Sequence, residues 1–101
     1  MLTVFKTDHF VDWVRQLRDA RARRQILIAV DRMEQGNFGD VRPVGSGVSE
    51  TRLHFGPGYR LYFFEFGGRV FYLVGGGDKS SQTDDIRRAI AMKARILEDL
   101  S

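Results

Sequence analysis

The chain has 101 residues, no cysteine and a formal net charge of +3. This length suits one domain with a modest core, and the lack of cysteine excludes disulfides and thiolate metal sites. No apolar run approaches the ~20 residues of a membrane helix, and the opening does not follow the pattern of a signal peptide. We therefore expect one cytoplasmic domain over residues 1–101, without metal or cofactor.

The charge balance is basic, and arginine supplies most of it. Arginine outnumbers lysine 13 to 3, and the planar guanidinium fork suits phosphate contacts and stacking on bases. A pI near 9.7 is compatible with a nucleic acid or with an acidic protein as partner. Composition alone therefore leaves both classes of partner open.

The first third of the chain predicts a strand followed by a helical hairpin. Residues 2–5 form a short apolar run, and Thr7 or Asp8 can cap the helix after it. A second helical pattern begins near Asp19 and ends at Gly36. Apolar residues at helical spacing mark the two buried stripes: Phe10, Val14 and Leu17, then Ala22, Ile26, Val30 and Met33.

An arginine run spans the junction of these helices: Arg15, Arg18, Arg21, Arg23 and Arg24. One interpretation is an ordinary solvated helix face. The other is a contact surface for RNA phosphates, whose attraction salt would screen. The sequence leaves both interpretations open.

Residues 50–66 predict the hairpin that carries the chemistry. Gly56-Pro57-Gly58 marks a turn between two extended runs, and alternate residues of a strand point to opposite faces. Matching the polar faces across the turn predicts a cationic and aromatic patch formed by Arg52, His54, Arg60 and Tyr62. We interpret this patch as a surface that binds RNA and cleaves it.

The remaining segments complete an α+β domain. Residues 41–44 predict a short strand and residues 69–74 an interior strand with both faces covered. The glycines at 75–77 allow the backbone to turn or to approach another group closely. Ser81, with Asp84 three residues later, predicts the start of a last helix, whose apolar stripe is Ile86, Ala89, Ile90, Ala94 and Leu97.

Four stretches together give the chain a family resemblance: residues 36–40 (GNFGD), 47–52 (GVSETR), 56–62 (GPGYRLY) and 76–82 (GGDKSSQ). In this order and spacing they resemble the RelE/ParE superfamily of bacterial toxins, and in particular its HigB-like addiction module killer branch. The resemblance implies a curved antiparallel sheet with an N-terminal helical hairpin on one face and a C-terminal helix.

The resemblance also implies a function. RelE-like toxins cleave mRNA on the ribosome without a metal, by attack of a ribose 2′-hydroxyl on the neighbouring phosphate. It implies as partners the ribosome, mRNA and a helix-turn-helix antitoxin, and no membrane. ParE-like toxins share the fold but poison DNA gyrase, and an inactive relative that only binds antitoxin and regulates its operon is a third alternative.

The resemblance places the catalytic set on Arg52, Arg60 and Lys79, and facing direction adds His54 and Tyr62. Gln82, which could also cap the last helix, and the arginine run are the expected RNA contacts. Several RelE-like nucleases carry a catalytic Tyr or His near the C-terminus, and residues 80–88 contain neither. This departure keeps the gyrase alternative open.

Overall fold

The computed structural model describes residues 2–101. Over that range the chain forms five strands, three α-helices and one 3-10 helix: β1 Thr3–Lys6, α1 Asp8–Gln16, α2 Ala20–Glu34, β2 Asp40–Gly45, β3 Val48–Arg52, β4 Arg60–Phe66, β5 Val70–Gly77, the 3-10 helix Lys79–Ser81 and α3 Gln82–Leu100. None of the helices described is both long and apolar enough to cross a membrane.

The strands form one sheet in the order β1-β5-β4-β3-β2. The predicted α+β class is confirmed, and β5 lies inside the sheet as its apolar sequence indicates. The sheet is mixed, however, because β1 pairs parallel with β5 while the other neighbours pair antiparallel. The two strands are far apart in sequence, so no hairpin forces them to be antiparallel.

The helical hairpin covers one face of the sheet. Thr7 caps α1 by accepting a hydrogen bond from the backbone of Phe10, and Asp19 caps α2 in the same way. The stripe predicted for α2 is buried against β4 and β5 residues such as Leu61 and Leu73. Burial of this stripe, rather than helix propensity, holds the two helices in place.

α3 covers part of the opposite face. Ala89 is buried there with Val48, Tyr62, Phe64 and Val74, whereas Ala94, predicted in the stripe, is exposed because it lies on the solvent side of the helix. Ser81 does precede the first residue of α3, as predicted, but it forms no capping box with Asp84. Ser81 makes no side-chain cap for α3, and a capping box forms instead one turn earlier, where Asp78 begins the 3-10 helix.

The glycines at the end of β5 permit close packing, as their sequence indicates. The indole ring of Trp13 lies directly over Gly76, and a side chain at Gly76 would overlap that ring. A side chain at Gly77 would overlap the carboxylate of Asp85 in α3. Both α1 and α3 therefore approach the backbone of β5 at the end of the sheet where β4 begins.

This contact predicts that Gly76→Ala destabilises the protein. Overpacking of this kind costs ~1–3 kcal/mol, measured as the free energy of unfolding in urea. Gly75→Ala is the matched control, because the added carbon would meet only the exposed His9 ring at 3.4 Å. Equal stability of the two variants would contradict the packing described for Trp13.

Candidate functional site

The register of β3 and β4 brings the predicted basic residues together. Arg52 and Arg60 are directly opposite each other, and Glu50 is opposite Tyr62. Alternation puts these four side chains on the face away from the helical hairpin, where Tyr62 belongs to the apolar cluster beneath α3. Two arginines and one carboxylate therefore lie side by side at the end of the sheet.

Arg60 is held in a nearly buried ion pair. Its Nε lies 3.5 Å from Oε1 of Glu50, and the two side chains are only 10% and 3% exposed. Nη1 of Arg60 donates to the carbonyl of Gly58 at 3.1 Å, while the amide of Gln82 donates to the same Glu50 oxygen at 3.2 Å. The guanidinium is thus held by Glu50 on β3 and by the loop between β3 and β4, while Gln82 on α3 holds the carboxylate.

Arg52 and His54 are held by a second carboxylate, at the surface. Oδ2 of Asp40 accepts hydrogen bonds from Nε and Nη2 of Arg52 at 3.2 and 3.0 Å and lies 2.7 Å from Nε2 of His54. The hydrogen bond with His54, and then those with Arg52, lower the pKa of Asp40 below its usual 3.8. The carboxylate therefore stays ionised near neutral pH and orients both side chains.

The loop between β3 and β4 is longer than predicted. β3 ends at Arg52 and β4 begins at Arg60, so His54 lies in the loop, not on a strand. The backbone N–H of Leu53 donates to the carbonyl of Tyr59 and closes the loop at its base. His54 consequently projects at the rim of the sheet, with 70% of its side chain exposed.

Four of the predicted catalytic residues line one cavity of about 410 Å³. We call it the basic cleft, after the Arg, His and Lys side chains among its lining residues, which are Arg52, His54, Arg60 and Lys79. The backbone N–H of Lys79 donates to the carbonyl of Pro57, which ties the 3-10 helix to the loop. The fold thus collects residues from three segments of the chain, although their catalytic role remains a prediction.

Tyr62 is not part of this surface, and its expected placement is wrong. Its ring is fully buried under α3, and its hydroxyl makes no hydrogen bond among the described residues. Burial, and secondarily the negative charge of Glu50 and Asp85, raises the pKa of Tyr62. A tyrosine in this state cannot serve as a base near neutral pH. Facing direction was predicted correctly, but the sequence did not show that α3 covers that position.

The predicted RNA contacts have different surroundings. Arg15, Arg18, Arg21 and Arg24 are exposed, whereas Arg23 donates through Nη1 to the carbonyl of Leu17 and supports the helix junction. Arg21 also borders a cavity shared with loop residues Phe55 and Gly56. The amide of Gln82 is engaged with Glu50. Their roles as RNA contacts remain predictions.

Sequence reasoning missed the two carboxylates that orient the site. Asp40 was assigned to a loop, and only the β2–β3 register, which pairs it with Arg52, reveals its position. Glu50 was given no role in the site, but it is buried and pairs with Arg60. Among residues 2–101, no three His, Asp or Glu side chains converge as a metal site requires.

The buried pair predicts that Arg60→Ala unfolds more easily than the wild type. Removing one partner of a buried ion pair costs ~3–5 kcal/mol because the other charge stays buried without compensation. Chemical denaturation measures this loss. If Arg60 were instead exposed to solvent, the free energy of unfolding would not change, and that result would contradict the buried pair. Arg52→Ala is the neighbouring control and should lose much less, because Asp40 and Arg52 are both in contact with water.

Comparison with solved structures identifies the fold. The chain is similar to a chain of the intact E. coli RelBE toxin–antitoxin complex, with a TM-score of 0.63 and 15% identity over 77% of this chain and 96% of that chain. It is also similar to a mutant of E. coli toxin RelE in the free state, with a TM-score of 0.61 and 16% identity over 86% of this chain and 96% of that one. These likenesses confirm the predicted RelE-type fold.

A relative found by sequence similarity assigns the chain to a family. A Haemophilus influenzae protein described as uncharacterized is 40% identical over 80 residues, which are 79% of this chain and 81% of that protein. No family model matches the sequence. The chain therefore belongs to the same family as this Haemophilus influenzae protein, and that family has the RelE fold.

Proposed function

We propose that the chain is the toxin of a type II toxin–antitoxin module and that it cleaves mRNA on the ribosome in the cytoplasm. The observation that carries this proposal is the basic cleft, in which Arg52, His54, Arg60 and Lys79 converge on one cavity. The RelE fold supports it. The HigB-like branch, suggested by the sequence resemblance, belongs to the same proposal.

The cleft suits attack of a ribose 2′-hydroxyl on the adjacent phosphate. The reaction needs a proton acceptor, a proton donor for the leaving 5′-oxygen, and cations around the charged phosphorane. Arg52 and Arg60 supply planar donors for the phosphate oxygens. His54 is exposed and oriented through Nε2 by Asp40, which leaves Nδ1 to accept the 2′-hydroxyl proton. Lys79 is the further proton donor in the cleft.

Exposed arginines extend the electrostatic surface beyond the cleft. Arg15, Arg18, Arg21 and Arg24 make no ion pair with another described residue, so their charge is available to RNA phosphates. The proposed partners are therefore the ribosome and mRNA. A toxin–antitoxin complex among the structural neighbours supports an antitoxin partner, for which the resemblance suggests a helix-turn-helix protein.

A gyrase poison is the second candidate, and it is favoured by the small number of side chains that could act as general acid or base. Residues 80–88 contain no Tyr or His, and Tyr62 is buried. His54 is then the single imidazole in the cleft, and the catalytic Tyr or His that several RelE-like nucleases carry near the C-terminus has no counterpart. A relative without activity, acting only through antitoxin binding and operon regulation, is the remaining alternative.

The test is primer extension on mRNA from ribosomes translating with purified protein. We expect new 5′ ends within the reading frame that disappear when ribosomes are omitted. Lys79→Ala should lower the cleavage rate by roughly 10²–10³-fold, the usual cost of one donor at a developing charge. Lys6→Ala is the matched control, because this exposed lysine lies on β1 at the far edge of the sheet.

A parallel assay with DNA gyrase and plasmid DNA distinguishes the alternatives. Intact mRNA together with gyrase-dependent DNA breaks would replace the nuclease with the ParE-like function. Intact mRNA and intact DNA would indicate an inactive relative. Cleavage at the wild-type rate by Lys79→Ala would leave the nuclease in place and remove Lys79 from its site.

A further inference from the structure

A second cavity lies on the other side of the loop segment that borders the basic cleft. Its volume is about 250 Å³, and we call it the α2 pocket because one wall is the helix α2. Its apolar surface comes from Ala29 on that helix, from Phe38, and from Leu53 and Phe55 in the loop. Phe38 is rigidly placed, since its ring packs against Phe63 at 4.9 Å between centroids.

The polar groups of the α2 pocket are those that recognise a base edge. Gln25 and Arg32 on α2 are exposed, and Arg32 forms no ion pair with any residue from 2 to 101. Oδ1 of Asn37 accepts a hydrogen bond from the backbone of Gly39 at 3.0 Å, which orients its amide. Amides and guanidinium groups are the side chains that pair with base edges, and aromatic rings stack on bases.

The α2 pocket and the basic cleft are adjacent. Residues 52–55 line both cavities, so a single short segment separates them. Arg52 and His54, which Asp40 holds in place, therefore lie at the border between the two cavities. The two cavities are thus close enough to contact neighbouring nucleotides of one RNA strand.

We propose that the α2 pocket binds one unstacked base of the RNA whose phosphate occupies the basic cleft. The proposal rests on the proposed function, since it assumes that the cleft takes a phosphodiester. The volume is below the ~300–1,000 Å³ of pockets for larger small molecules, which suits a single base. An apolar side chain from a protein partner would leave Gln25, Arg32 and Asn37 without a use.

The experiment uses a trinucleotide RNA with every ribose 2′-O-methylated, which the protein cannot cleave. Three analogues each lack one base and keep the complete backbone. Affinities for the ¹⁵N-labelled protein are measured by NMR titration, which also follows weak binding. We expect one abasic position to weaken binding by roughly 5- to 150-fold, the effect of losing one stacked base. The side-chain amide signals of Gln25 and Asn37 should shift with the intact RNA and not with that analogue.

Variants locate the effect. Arg32→Ala should weaken binding of the intact RNA and leave binding of the sensitive abasic analogue unchanged. Arg69→Ala, an exposed arginine on the turn between β4 and β5, is the matched control and should bind both RNAs as the wild type does. Gln25 and Arg32 are exposed helix positions, where alanine is compatible with the helix.

The outcomes separate this inference from the proposed function. Equal affinity for the intact RNA and all three abasic analogues, with backbone shifts confined to the basic cleft, would overturn the α2 pocket and leave the cleft as the RNA site. Equal affinity of Arg32→Ala and Arg69→Ala for the intact RNA would also overturn it. If the wild-type protein shows no ribosome-dependent cleavage, the proposed function on which the pocket rests is refuted instead.

Discussion

The ion pair between Glu50 and Arg60 is the constraint on which the site depends. Two charges this deeply buried are tolerated only when each compensates the other. This buried pair fixes the β3–β4 register, because a slip of one residue would turn one of the two charges to the opposite face of the sheet. It also involves α3, since Gln82 at the start of that helix donates to the same carboxylate. Arg60 thereby reaches the basic cleft from a position with little freedom.

The same arrangement joins stability to function. The end of the sheet that carries Arg60 also carries Gly77, its partner on β5, and close packing at Gly76 and Gly77 brings α1 and α3 to that end. The cleft is therefore built on a closely packed part of the fold, while His54 and Lys79 remain exposed at its rim. A closely packed floor with exposed polar side chains at its rim suits a site that must hold a phosphate while its charge increases.

The sequence predicted the fold well because the apolar spacing of α2, β4 and β5 is regular and the caps at Thr7 and Asp19 are clear. The family resemblance gave the RelE-type architecture. The parallel pairing of β1 with β5 was not predictable from periodicity, since strand order depends on contacts distant in sequence. Alternation also assigned Arg52 and Arg60 to one face correctly.

The candidate site was only partly predictable, for a related reason. Facing direction placed Tyr62 with the arginines but could not show that α3 covers it. The hairpin pattern extended β3 to Phe55, whereas the loop begins at residue 53 and releases His54 from the sheet. The orienting role of Asp40 depends on the β2–β3 register, and that of Glu50 depends on burial. Neither the strand register nor the burial of a side chain can be derived from one sequence without its tertiary contacts.

The most direct test is a double-mutant cycle between Glu50 and Arg60 in ribosome-dependent cleavage. Single-turnover rates are compared for the wild type, Glu50→Gln, Arg60→Lys and the double variant, each confirmed as folded at the assay temperature. If Glu50 acts by holding Arg60 for the phosphate, each single variant is slow and the double variant is no slower than Arg60→Lys. Losses that multiply in the double variant, or wild-type rates for Glu50→Gln, would contradict the account.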